Sequence, residues 1–360
     1  MTINDIPSAA VLIDADALER NIVAMQTTCE RSGVALWPHI KTHKCVEILR
    51  MQLRHGAEGI TCAKIGEAEA MLASGVRKVF LAHSLVDVKA APRLRALSEK
   101  LERLVLAATS RLHAEHLERV AAATGLRFPV FAALDTGLGR EGSRSLAEFD
   151  AMIAFLEKSR HLDPVGIYTH EGHFYRCSSV EEVEKNAVEI GGKLKTAAGA
   201  LPEGSDVAPG CSVSAARLAL VEGITMIRPG AYLLGDLNLA YKLPIMAWQD
   251  CAATILATVV DRPEKDLAII DAGSKSFSGD KNANGESGRE LNDPDIVVAG
   301  VNEEHGYVRG TRADALRIGD RLRFVPNHIC PVMNLTDRVW VVRGEDALDS
   351  WKIEGRGMVS

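Results

Sequence analysis

The chain has 360 residues, 47% hydrophobic and 25% charged, with a formal net charge of −6 and a pI near 6.0, an ordinary globular composition with room for a large domain and a smaller one or for two comparable ones. An acidic balance without a long Lys/Arg run argues against a nucleic-acid partner, and no stretch approaches the roughly 18 apolar residues of a membrane-spanning helix. Met1 to Asp5 lacks the basic and apolar regions of a signal peptide, and seven cysteines without a repeated pair spacing fit reduced thiols, so a cytoplasmic protein acting on a small molecule is expected.

Taken in chain order, Asp16 to Glu19 has the spacing of a capping box, and Leu18, Ile22, Met25 and Cys29 recur every three or four residues until Gly33, which predicts a helix. The short apolar run Ala35 to Trp37 follows, then a second helical stretch through Ile48, Leu49 and Leu53 to Gly56. Further strands are predicted at Gly59 to Cys62, Lys78 to Ala82, Arg103 to Ala107, Phe128 to Leu134, Val165 to Thr169, Asp206 to Ala208 and Ile224 to Ile227, with helical segments such as Ile65 to Ser74 and Leu146 to Lys158 between most of them. Strands that alternate with helices in this way predict a parallel (β/α)8 TIM barrel over residues 14–246, with a doubly wound open sheet as the rival. After about Ala247 the texture changes to strands joined by turns, at Ala253 to Val260, Leu267 to Ile270, Arg321 to Phe324 and Arg338 to Val342. A mainly-β domain of residues 247–360, joined by the N-terminal segment 1–13, is the economical account. Ser278 to Asp295, rich in Gly, Asn and Asp, reads as a long surface loop.

In such barrels chemistry sits at the C-terminal ends of the strands. Lys41 of Pro38-His39-Ile40-Lys41-Thr42-His43-Lys44 stands where the first strand ends. A lysine partly desolvated there can serve as an amine nucleophile or base, although spacing alone favours reading Lys41 and Lys44 as solvated turn lysines. Asp135 to Arg140, Tyr168 to His173, Pro209 to Ser214 and Arg228 to Gly230 follow later strands. Glycines with hydroxyls after strands seven and eight suit a phosphate, because small residues expose backbone N–H groups to the anion. Each loop alone is a common turn, and His170 or His173 alone is more often structural. A strand-end lysine with a phosphate cradle is nevertheless what a pyridoxal phosphate enzyme needs. In the β domain, His328 and Cys330 lie two residues apart, so an extended segment would turn both to one face, where they could bind a borderline metal such as zinc.

Together, PHIKTHK from Pro38, GEAEAM from Gly66, GIYTHEGH from Gly166, IRPGAY from Ile227, DAGSKSFSGD from Asp271, EEHG from Glu303 and VPNHICPVMNL from Val325 resemble the fold-type III pyridoxal phosphate enzymes. Within them the likeness is to the D-serine dehydratase and D-threonine aldolase group, distant relatives of alanine racemase. The resemblance implies that Lys41 is the lysine bonded to the cofactor and that Lys44 has no assigned chemistry. It implies cofactor contacts from Arg140, Tyr168, Ser212, Ser214, Arg228, Gly230 and Tyr232, although Cys211 and Val213 depart from the family's usual phosphate-loop wording. It further implies a divalent metal on His328 and Cys330, and a homodimer with shared active sites.

The implied activity is a lyase acting on a D-3-hydroxy amino acid. In β-elimination Lys41 removes the α-proton, and a 2-oxo acid and ammonia result, as in D-serine, D-threonine or 3-hydroxyaspartate dehydratases. In retro-aldol cleavage His170 or His173 takes the hydroxyl proton, and glycine and an aldehyde result. By the resemblance, dehydratases carry His-x-Cys at the metal site and aldolases His-x-Asp, so Cys330 favours dehydration. The thiolate favours zinc, with manganese or magnesium as alternatives. A non-catalytic pyridoxal phosphate carrier is the alternative of another class, disfavoured by the additional β domain.

Overall fold

A computed structural model describes residues 1–360, which divide into two compact units. One comprises Ala24–Lys41, Ile48–Gly230 and Met358–Ser360; the other comprises Met1–Val23, Thr42–Glu47 and Ala231–Gly357. Strand β1 (Ala10–Asp14) leads into α1 (Ala15–Ser32), β2 (Ala35–Leu36), α2 (Val46–Arg54), β3 (Ile60–Cys62), α3 (Ile65–Met71), β4 (Lys78–Leu81) and α4 (Ala91–Ser98). The alternation continues with β5 (Arg103–Ala108), α5 (Arg111–Thr124), β6 (Phe128–Ala133), α6 (Leu146–Leu156), β7 (Leu162–Tyr168), α7 (Val180–Ala198), β8 (Asp206–Ala208), α8 (Ala215–Leu218) and β9 (Met226–Ile227). Then come β10 (Ala253–Glu264), β11 (Leu267–Ile270), α9 (Ser274–Phe277), β12 (Gly288–Glu290), β13 (Val297–Val301), β14 (Gly306–Arg309), β15 (Arg321–Pro326), α10 (Ile329–Leu335), β16 (Arg338–Arg343) and β17 (Asp346–Lys352).

Helix α1 starts earlier than the Asp16–Glu19 spacing implies. The Asp14 carboxylate accepts from the Ala17 N–H at 2.8 Å, whereas Asp16 pairs with Arg343 at 2.9 Å. Of the expected apolar stripe, Leu18, Ile22 and Cys29 are buried, whereas Met25 is only half-buried.

In the first unit, strands β3 to β8 form a six-stranded parallel sheet in sequential order, and β2 pairs in parallel with β9. The expected barrel is thus seen as a six-stranded half-barrel with a separate two-stranded pair rather than as one continuous ladder. The two seams are irregular for local reasons. Beside β3, the residue following Trp37 is a proline with no N–H to donate; the Pro38 carbonyl accepts from the Thr61 N–H at 2.9 Å, and Thr61 returns its carbonyl to the Ile40 N–H at 3.0 Å. Beside β8, the Thr225 hydroxyl stands in for a backbone acceptor, taking the Val207 N–H at 2.9 Å. Trp37, Phe80, Phe131 and Tyr168 are packed inside the strands, with the Phe80 ring centroid 4.8 Å from Phe131 and 5.0 Å from Tyr168. Such tilted and edge-on contacts are the favoured geometry for buried rings.

The second unit is mainly β. Its nine-stranded sheet runs β11-β14-β13-β12-β15-β10-β1-β16-β17, and an additional β10–β11 pairing closes the first six strands into an antiparallel ring. Closure removes the edges that open sheets must protect. Here the predicted long loop Ser278 to Asp295 needs correction, because β12 lies inside it and pairs with β13 and β15. Its charged residues hid the strand: Arg289 is buried in a bidentate pair with Glu286, at 2.9 and 2.7 Å. All seven cysteines are free.

Candidate active site

Lys41 ends the segment that follows β2, and its N–H points to His39 Nδ1 at 3.4 Å. Its side chain lines a cavity of about 260 Å³ together with His39, Lys64, His83, Arg140, Glu141, Tyr168, His170 and Arg228. The neighbouring motif lysine is occupied differently, since Lys44 is buried and donates to Asn334 Oδ1 at 2.7 Å. A larger cavity of about 650 Å³ opens between α1, α7 and α8, where Arg217 and Glu184 form an ion pair at 3.8 Å. It holds no comparable group of reactive side chains.

The walls of the Lys41 cavity are set by the loop after β8. His170 Nδ1 donates to the Gly210 carbonyl at 2.6 Å, which leaves Nε2 as the ring's acceptor. Burial and the nearby charges of Lys41 and Arg140 depress the His170 pKa to about 3, even though the bond to Gly210 opposes them. The ring is therefore neutral at working pH. Glu171, fully buried, takes the Gly210 N–H at 3.0 Å and the Ser214 hydroxyl at 3.3 Å. Burial pushes its carboxyl up to about 7, against the opposing pull of Arg228. Arg228 donates to the carbonyls of Ala208 at 3.0 Å and Thr169 at 2.6 Å, with its guanidinium carbon 5.3 Å from the Phe80 ring centroid and 5.4 Å from that of Tyr168.

Gly210 is the hub of this arrangement. A Cβ there would stand 2.8 Å from Arg228 Cζ and 2.9 Å from its Nη2. Gly210→Ala should therefore cost about 1–3 kcal/mol of stability through overpacking and release the loop that His170 and Glu171 hold. Chemical denaturation of cofactor-free protein checks this expectation, and an unchanged midpoint would refute it.

Of the residues expected at the site, Lys41, Arg140, Tyr168, His170 and Arg228 meet at the cavity. Ser212 Oγ accepts from the Gly230 N–H at 3.1 Å, which joins the loops after β8 and β9 where a phosphate was expected. The Ser214 hydroxyl is turned inward to Glu171 and the Cys211 carbonyl. His173 does not line the cavity; its ring lies over Gly137, where a Cβ would be 3.3 Å from Nε2. Tyr232 is buried in a 3-10 turn, Ala231–Leu233, of the mainly-β unit. The sequence reading missed Glu171, Lys64, His83 and Glu141 as site residues. Glu171 was inside a quoted motif, but nothing local marks it as buried.

The cavity suits an anionic single-ring cofactor. Lys41, Lys64, Arg140 and Arg228 face it against one carboxylate, Glu141, and the Tyr168 hydroxyl is buried at its wall without a hydrogen-bond partner. An unpaired buried hydroxyl is costly and invites a ligand partner.

His328 and Cys330 come together in the mainly-β unit at the end of β15. The His328 ring is hydrogen-bonded through Nδ1 to Asp280 Oδ2 at 2.7 Å, and the Cys330 side chain is near enough to favour its charge. Burial opposes its charge, but these partners and Asp236 raise it to about 9. Cys330 Sγ also lies 3.2 Å from Thr42 Oγ1. Asp236 is buried and takes the Ile329 N–H at 3.2 Å. An imidazole and a thiol two residues apart can reach one ion, so this donor pair fits a borderline divalent metal with open positions. No group of three or more His, Cys, Asp or Glu side chains is assembled as a closed cage.

Known proteins resemble the chain over nearly its whole length. Residues 13–238 match the family described as alanine racemase, N-terminal domain, and residues 252–342 match a serine dehydratase domain. The chain is 30% identical over 366 residues to D-threonine aldolase from Arthrobacter sp., covering 98% of this chain and 93% of that one. It superposes on D-threo-3-hydroxyaspartate dehydratase from Delftia sp. HT23 with a TM-score of 0.89 at 28% identity, covering 98% of each chain. A variant of D-threo-3-hydroxyaspartate dehydratase, in a form described as metal-free, superposes with a TM-score of 0.89 at 27% identity, again over 98% of each chain. With the alanine racemase N-terminal domain matched over more than half its length and a serine dehydratase domain behind it, the chain belongs to the fold-type III pyridoxal phosphate family of D-serine dehydratases and D-threonine aldolases.

Proposed function

We propose that the chain is a pyridoxal phosphate- and divalent-metal-dependent lyase that eliminates water from D-3-hydroxy amino acids, giving a 2-oxo acid and ammonia. The observation that carries this reading is the cation-rich cavity where Lys41, Arg140, His170 and Arg228 converge. The relatives, named as D-hydroxy amino acid dehydratases and aldolases, support the substrate class. The reading takes residues 14–246 as a complete (β/α)8 barrel, supported by the β2–β9 pair and the few hydrogen bonds at its seams. Residues 247–360 with 1–13 form its β domain, and β1 pairing with β10 and β16 supports that grouping. A cytoplasmic homodimer completes the reading.

When bound, pyridoxal phosphate supplies an electron sink for charge at the substrate α-carbon, and the metal supplies Lewis acidity at the β-hydroxyl. Lys41 Nζ holds the cofactor and moves the α-proton. Arg140, Tyr168 and Arg228 would hold the cofactor's ring; Ser212 and Gly230 would meet its phosphate, and Ser214 braces that loop through Glu171. Tyr232 is assigned as a further cofactor contact. His170, with Nδ1 tied to Gly210, offers Nε2 as a fixed neutral acceptor. His328 and Cys330 hold the metal, for which the thiolate favours zinc.

Retro-aldol cleavage to glycine and an aldehyde is the second reading, favoured by the 30% identity to a D-threonine aldolase. There His170, which lines the Lys41 cavity where His173 does not, takes the hydroxyl proton and the α-proton stays. Product analysis with D-threonine separates the two readings, using cofactor-loaded, zinc-supplemented protein with a chelated control. Chelator-sensitive 2-oxobutanoate and ammonia are expected. Glycine and acetaldehyde would establish the aldolase, and neither product from any D-3-hydroxy amino acid would leave a cofactor carrier.

A further inference from the structure

We infer that Asp280 is a positioning residue for a metal ligand: it holds the His328 ring in the tautomer and orientation that present Nε2, beside the Cys330 thiol, to a divalent cation. The inference rests on the reading of His328 and Cys330 as the metal ligands. Its observation is the 2.7 Å contact between His328 Nδ1 and Asp280 Oδ2. An ionised carboxylate only accepts, so Nδ1 carries a hydrogen, and a ring that takes a cation can do so only through the lone pair at Nε2. Without Asp280 the ring can carry its proton on either nitrogen and turn, and part of the population then presents an N–H where the cation needs a donor pair. A carboxylate on the far nitrogen of a ligating histidine fixes both tautomer and ring angle.

Asp280 acts on the ring alone, because the backbone of the pair is held from elsewhere. Asp236 Oδ2 takes the Ile329 N–H at 3.2 Å, and Asn238 Nδ2 donates to the Asn327 carbonyl at 2.6 Å. Asp280 is held in its own loop by donating its N–H to Ser278 Oγ at 3.2 Å. It is not read as a third ligand, since no three His, Cys, Asp or Glu side chains converge as a metal-holding group. Its side chain is 49% exposed, so removing it opens no cavity and leaves the fold intact.

The test is zinc affinity of the full chain, measured by competition with a chromophoric chelator for wild type, Asp280→Ala, Asp280→Asn and His328→Ala. Asp280→Ala is expected to weaken zinc binding by about 10–100-fold. Asp280→Asn, whose amide oxygen still accepts from Nδ1–H, should lose less, and His328→Ala should lose more than either, while the unfolding temperatures of the zinc-free proteins stay together. Asp280→Ala binding zinc as tightly as wild type overturns the inference. So does a loss equal to that of His328→Ala, which would make Asp280 a ligand. If His328→Ala itself binds zinc like wild type, the metal reading falls and this inference with it.

Discussion

Lys41→Arg is expected to leave the fold and the cavity's positive charge in place and to lower turnover of D-3-hydroxy amino acids by about 10²–10⁴-fold, the range for removing a positioned acid–base group. The substitution separates charge from chemistry. Lys41's charge helps keep both His39 and His170 neutral, and a guanidinium in its place preserves that field. Arginine does not give up its proton in a protein, so it can neither bond to a carbonyl carbon as an amine nor take the α-proton. A loss of activity with the fold retained therefore reports the missing amine. The measurement is kcat on D-threonine, set beside the absorbance of retained cofactor and the unfolding temperature. Wild-type turnover would shift the proton transfer to the cavity's other lysine, Lys64, whose Nζ lies 3.2 Å from His83 Nε2.

The elements that were legible in the sequence are those whose burial follows from their own residues. Strands β4, β5 and β6 are apolar after the opening Lys78 of β4 and Arg103 of β5, and every residue but Lys78, Arg103 and Pro129 is buried; periodicity and flanking turn residues suffice to place them. The illegible strands owe their pairing to partners. Strand β12 is Gly-Arg-Glu and is buried only because Glu286, three residues before Arg289, neutralises it and β13 and β15 take its backbone. Strand β17 is largely exposed and is held by its ladder to β16. The site divides in the same way. Lys41, Arg140 and His170 could be located because strand ends are where side chains reach a barrel's working face. Glu171 could not, because its burial depends on Gly210, Ser214 and Arg228, which come from loops 39 to 57 residues further along the chain. Asp280 was inside a quoted motif, yet its contact with His328 spans 48 positions. Local pattern places the groups that do chemistry; the groups that orient them are chosen by the folded loops.

Glu171→Gln is expected to remove a pH-dependent loss of stability. Burial raises the Glu171 carboxyl from 4.5 to about 7 in the folded chain, against the pulls of Arg228 and the donors on Gly210 and Ser214. The unfolded chain releases this proton near 4.5 and the folded chain near 7, so between those values the folded state binds more protons and stability falls as pH rises. The contribution is fully present below pH 4.5 and gone above about 7, and at about 1.4 kcal/mol per pH unit that interval amounts to about 3 kcal/mol. His170, held down to about 3, has the opposite sign, because its unfolded form takes up a proton near 6.5 and weakens the fold as pH drops. The raw stability curve mixes the two, and only the difference between wild type and Glu171→Gln isolates the carboxyl. The glutamine still accepts from the Gly210 N–H, and whatever it loses at Ser214 is the same at every pH. Urea titrations of cofactor-free protein at about pH 5 and about pH 8 should therefore show the variant gaining on wild type by about 2.5 kcal/mol at the higher pH. A difference that stayed flat would mean that Arg228 keeps Glu171 ionised throughout, and the loop behind His170 would then be held by a buried ion pair, whose rupture in the variant would cost about 3–5 kcal/mol at both pH values.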